Sequence, residues 1–198
     1  MFSQSDKWEK WSDEQLWKAF REGRHKPLSE IFLRYYDRLY YYGMKLISDH
    51  AEVKDGIQQL FLRLWNKRES IDDAQSVEFY LLLSLRRILF RRQKQRNAIH
   101  RRNREYVEDF SSPSLTIEDV IICTEQKNQR NELFRKAFDT LTERQKEVLY
   151  LRLQHGLTNE EVAQVMNVSH QSVRNYIYEA TQQLKDQIAL ALEANFKP

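Results

Sequence analysis

Little in this sequence interrupts a helix: glycine occurs four times and proline three times among 198 residues. The intervening sequence is rich in Leu, Glu, Gln, Lys and Arg, which favour helix, so an all-α protein is expected. A single cysteine, Cys123, excludes an intrachain disulfide and leaves no zinc-ligand spacing. The longest largely apolar stretch, FYLLLSL at 79–85, falls far short of the ~20 residues that span a bilayer. The N-terminal MFSQSDKWEKW has no signal-peptide hydrophobic region, so a cytoplasmic protein is expected. The five histidines are scattered, no HExxH occurs, and the isolated glycines form no phosphate-cradling loop. Enzymatic chemistry therefore finds no catalytic, metal or cofactor residues to rest on, and no small-molecule substrate is expected.

Acids are missing from one long segment. The net charge is only +3, yet residues 86–104 hold nine Arg or Lys and no Asp or Glu. Such a run calls for a polyanionic partner. Residues 105–119 reverse it, with five acids and no base. This places a boundary near Arg104 and predicts two small helical domains, 1–104 and 128–198, joined by a flexible linker at 105–127 that contains Ser111-Ser112-Pro113-Ser114.

Within the first domain, Ser12-Asp13 before EQLWKAFREG reads as a capped helix stopped by Gly23, with Pro27 in the first turn of the next. Apolar residues then recur at three-to-four spacing from Ile31 to Ile47, which predicts a long amphipathic helix with Tyr40–Tyr42 at the core edge. A third helix over 51–67 puts Ile57, Leu60, Phe61, Leu64 and Trp65 on one face. Its opposite face carries Asp55, Gln58, Gln59 and Leu62, and a leucine at the end of a polar stripe suggests a covering partner helix. After a loop at 66–76, a fourth helix runs from Phe79 through Leu89 into the arginine-rich segment. There Arg87, Arg91, Lys94 and Gln95 share a face suited to a phosphate backbone.

The second domain has three helix starts in close succession. Thr142 with Gln145 and Thr158 with Glu161 read as capping boxes, and Ser169 as a third cap. Gly156 separates the first two helices, and Asn167-Val168 sits at a tight turn before the last. This is a helix-turn-helix pattern, whose second helix enters the DNA major groove. Ala163, Val168, Val173 and Ile177 are the packing positions, and Val173, Ile177, Ala180 and Leu184 form the inner stripe. Gln171, Arg174, Asn175 and Tyr178 fall outside, with His170 at the exposed start. Gln, Asn and Arg can bond purine edges in pairs.

The segment 28–96, with VKDGIQQLFLRLW at its centre and FYLLLSLRRILFRRQ at its end, resembles region 2 of extracytoplasmic-function sigma factors. The segment 137–184, with LTERQKEVLYLRLQHGLTNEEVAQVMNVSHQSVRNYIYEATQQL, resembles their region 4. The resemblance implies core RNA polymerase and promoter DNA as partners, and an inhibitory anti-sigma factor of the kind often anchored in the membrane. It implies that Asp55 and Gln58, with Gln59 and Leu62 as neighbours, dock against the polymerase clamp helices. The loop after Trp65 and the start of the fourth helix would melt and hold the minus-10 element, with Arg86, Arg87, Arg91, Arg92 and Lys94 on its backbone. Gln171, Arg174 and Asn175, joined by His170, Ser172 and Tyr178, would read the minus-35 element. Arg87 and Arg91 replace the family's usual Asn and Asp, favouring sequence-independent grip, and Asn167 stands where the turn usually has Gly. A stand-alone helix-turn-helix regulator is the alternative.

Overall fold

The computed structural model describes residues 8, 10–72, 74, 76–102 and 129–195, with side chains placed for 8, 10–72, 74, 76–96 and 134–190. The chain divides into two compact units, 1–112 and 113–198. Among the described residues all regular structure is helical. The expected linker at 105–127, with Cys123, lies outside the described residues.

The first unit is built from α1 (Asp13–Arg21), α2 (His25–Leu46), α3 (His50–Lys67) and α4 (Val77–Arg102), with a 3-10 turn at Arg68–Ser70. Ser12 caps α1 in a full capping box with Gln15, and Gly23 takes the left-handed conformation after the helix, with φ +87°. Leu16, Trp17 and Phe20 of α1 are buried, and the Trp17 indole donates to the Asp72 carbonyl at 3.3 Å, tying α1 to the α3–α4 connection. Arg34 of α2 reaches Asp13 at 2.6 Å and the Trp11 carbonyl at 3.1 Å, while the Tyr35 hydroxyl donates to Asp13. Burial, then that hydrogen bond to the Asp13 carboxylate, raises the Tyr35 pKa.

Asp49 caps α3 by accepting from the amides of Ala51 and Glu52, and the Glu52 amide is the first cause of its lowered pKa. Ile57, Leu60, Phe61 and Leu64 are buried as their spacing predicts, and Trp65 is half-buried. The tyrosine cluster splits: Tyr42 is buried whereas Tyr41 is 61% exposed. Two glycines set helix separations. A Cβ on Gly43 would meet Val53 Cγ1 at 2.6 Å, and one on Gly56 would meet Leu89 Cδ2 at 2.6 Å. Hydrogen thus lets α3 approach both α2 and α4.

The second unit comprises α5 (Gln129–Asp139), α6 (Glu143–Gln154), α7 (Asn159–Met166) and α8 (His170–Asn195), with α8 packed against each of the other three. Its core includes Phe138, Leu141, Val148, Leu151, Val162, Met166 and Val173.

Gly56→Ala should overpack the α3–α4 contact and cost about 1–3 kcal/mol, read as a lower midpoint in denaturant unfolding. Combining it with Leu89→Ala should cost less than the sum of the single changes, because the second removes the atoms that the new methyl meets.

Candidate nucleic-acid and polymerase interfaces

The geometry of the second unit starts from its caps. Thr142 and Thr158 form capping boxes with Gln145 and Glu161, and the Ser172 amide donates to Ser169 Oγ at 3.0 Å. Between α7 and α8, Asn167 adopts φ 54°, ψ 50°, a left-handed conformation that Asn tolerates better than other residues with a Cβ. Its amide closes on Ala163 and Gln164 carbonyls and ends α7. Val173 and Ala180 are fully buried and Ile177 and Leu184 half-buried, so the inner stripe of α8 faces its neighbours.

The rotation that buries Val173 exposes Gln171, Arg174, Asn175 and Tyr178 together, with Tyr178 66% exposed. Gln171 Nε2 donates to Asn175 Oδ1 at 2.9 Å across one helical turn, so the two amides are already paired on the surface. Ser172 is half-buried, its hydroxyl 2.8 Å from that of Ser169, and so is engaged at the cap. His170 Nε2 lies 2.9 Å from Glu160 Oε1, at the start of α7. Glu160 is held below the usual carboxylate pKa, first by its own backbone amide.

In the first unit, the expected basic set divides into three. Arg87, Arg91 and Lys94 stand exposed along α4. Arg86 does not join them: it is 6% exposed, and its Nη1 donates to the Tyr42 hydroxyl at 3.1 Å. It follows Leu82 and precedes Leu89 on the buried side, about 100° from Arg87, which removes it from the phosphate-facing set. Arg92 is half-buried, with Nε 2.9 Å from Glu52 Oε2 and Nη2 3.2 Å from Asp55 Oδ2. Arg96 adds a contact to Glu52 at 3.0 Å, so the first turns of α3 pin the distal turns of α4.

Of the expected docking residues, Asp55, Gln58 and Leu62 line one groove of about 680 Å³ between α2 and α3, and Leu62 is 58% exposed. Gln59 is half-buried and does not line it. The groove's other wall includes Phe32 and Tyr36, and Trp65 stacks on His25 with ring centroids 3.8 Å apart. The three-to-four spacing of apolar residues on α2 does not separate Phe32 and Tyr36 from the buried stripe. Their signal was the width of the apolar arc on α2, where Phe32, Tyr36 and Tyr40 run beside the buried Ile31, Tyr35 and Leu39.

A helix-turn-helix with an exposed polar reading face, on a chain whose other unit carries an exposed basic helix, defines a DNA-binding protein. The sequence matches the family model for Sigma-70 region 2 over residues 31–99 and that for Sigma-70, region 4 over residues 131–184. The chain belongs to the sigma-70 family, with the region 2 and region 4 pairing of the extracytoplasmic-function type, and it is a sigma factor that directs transcription initiation. Among solved structures, the sigma factor RpoE in complex with the anti-sigma factor NepR, from Bartonella quintana, has a similar fold: TM-score 0.55 at 18% identity, covering 83% of this chain and 98% of that one. CnrH, solved in complex with the cytosolic domain of CnrY, gives TM-score 0.54 at 18% identity, covering 93% of this chain and 99% of that one. No match was found among curated proteins.

Asn167→Gly should leave the second unit's stability unchanged or raise it slightly, whereas Asn167→Val should lower it by about 1–2 kcal/mol through left-handed strain, measured by thermal unfolding. The valine variant should also bind DNA more weakly, since the turn sets how α8 is presented.

Proposed function

We propose that the two units divide promoter recognition between them, with the second reading the minus-35 element and the first holding the minus-10 element and docking on core RNA polymerase. The observation that carries this reading is the exposed row of Gln171, Arg174, Asn175 and Tyr178 on α8, directly after a capped left-handed turn. Arg174 and Asn175 are the base-reading residues, with Gln171 held beside Asn175. His170 and Ser172 support the start of the helix from their contacts with Glu160 and Ser169. Arg87, Arg91 and Lys94 grip the minus-10 backbone, and Arg92 braces their helix from within.

Docking is assigned to the groove between α2 and α3, through Asp55, Gln58 and Leu62, with Gln59 at its margin. An exposed leucine beside aromatic walls suits a partner helix that brings its own apolar residues. A regulator acting alone would leave this groove and the region 2 match without a role. The protein acts by binding in the cytoplasm, as a two-domain subunit of residues 1–104 and 128–198, and turns over no substrate. An anti-sigma factor is a further partner on this reading, in line with the NepR complex of the RpoE relative.

Transcription from a supercoiled genomic library, with bacterial core polymerase and the full chain, tests the proposal. Discrete transcripts that require the protein are expected, and tight operator binding without any polymerase-dependent transcript would contradict it. At a matched minus-35 site, Arg174→Ala should cost about 1–3 kcal/mol, whereas an equal loss on every sequence would reduce Arg174 to a phosphate contact.

A further inference from the structure

The turn between α7 and α8 brings an acid against the reading face. Glu160, the second residue of α7, has an exposed side chain, and its Oε1 lies 2.9 Å from Nε2 of His170, the first residue of α8. That ring nitrogen is shut off from solvent, so the carboxylate is its polar neighbour. Arg174 follows His170 by four residues and projects from the same face of α8, one turn on. The carboxylate is held in place rather than trailing in solvent. Its charged form is favoured first by its own backbone amide, against a smaller cost of desolvation, and then by His170, the Thr158 hydroxyl and Arg174.

An acid in this position works against DNA affinity. The first helix of a helix-turn-helix crosses the phosphate backbone, so a carboxylate at its start repels any duplex. What it supplies is discrimination. Cationic and N–H donors bind any phosphate, and that sequence-independent attraction carries the binding of unmatched DNA. A fixed carboxylate competes with phosphate for Arg174 and keeps His170 engaged. At a matched site a purine edge offers Arg174 two bonds in one fixed geometry, which a phosphate at an arbitrary register does not. Specificity is a difference of affinities, and lowering the wrong one raises it.

We propose that Glu160 is a positioning residue for base reading: it holds His170 at the start of α8 and draws Arg174 away from the phosphates, so that unmatched DNA is bound weakly and a matched element is bound through its bases. This rests on the reading of α8 as the base-reading helix and names a residue that sets its selectivity. The neighbouring acid, Glu161, takes no part, because its carboxylate accepts from the Thr158 amide at 2.8 Å in the capping box.

The test uses the full chain assembled with bacterial core RNA polymerase, a duplex pool randomised over a short segment as the probe, and core polymerase alone as the background. The native chain should enrich a defined sequence from the pool. Glu160→Gln keeps the shape of the side chain and removes its charge. It should bind the unselected pool about threefold more tightly, with a steeper salt dependence, and enrich the same sequence less. Misfolding would lower pool binding, so a gain reports the charge itself. In an Arg174→Ala background the same change should raise pool affinity less, because its effect passes through Arg174. Native pool affinity and native enrichment for Glu160→Gln would overturn the proposal. Weaker binding of the enriched sequence, with preference lost at one base pair, would overturn it too and make Glu160 a base contact. A native chain that enriches nothing would instead refute α8 as the base-reading helix, and the role of Glu160 with it.

Discussion

The close approach of α3 to its two neighbours governs the first unit. Val53 occupies the space that a side chain at Gly43 would take, and Leu89 occupies the space left at Gly56. These contacts bring the start of α3 near enough to α4 for Glu52 to hold Arg92 and Arg96. They also turn the opposite side of α3 toward the open groove with α2. One packing constraint therefore orients both the basic helix and the groove, and any side chain at Gly56 would disturb the two together.

Charge is partitioned by the same packing. A run of arginines that looks uniform along the chain serves three purposes in space. Arg86 fills the core edge beneath Phe90, Arg92 and Arg96 tie α4 to α3, and Arg87, Arg91 and Lys94 stand exposed. Asp55 lines the groove and also touches Arg92, one of the tying residues, at 3.2 Å. Its side chain is 60% exposed, so this pair contributes little to stability and leaves the carboxylate accessible to a partner.

The helices of the second unit were legible in the sequence because their starts depend on local chemistry. Thr142, Thr158 and Ser169 each cap from three residues away, and Asn167 alone sets the left-handed turn. The outward row on α8 followed from the 100° rotation per residue, which ties Gln171, Arg174, Asn175 and Tyr178 to the burial of Val173. The inward turn of Arg86 was less accessible, because adjacent arginines give no local sign of which faces the core. The answer lies at Tyr42, 44 residues earlier. The place of Phe32 and Tyr36 on the groove wall was hidden for a related reason. Periodicity gives the centre of an apolar face but not how far its edge is covered, and coverage depends on where α3 lies.

The central claim is that the α2–α3 groove is the surface through which this sigma factor joins polymerase, separate from its DNA-binding surfaces. Titration of bacterial core RNA polymerase with the full chain carrying Asp55→Ala and Gln58→Ala, alongside the native chain, tests it most directly. The account predicts that the double variant loses polymerase binding while keeping native affinity for duplex DNA. Native affinity of that variant for core polymerase would contradict it.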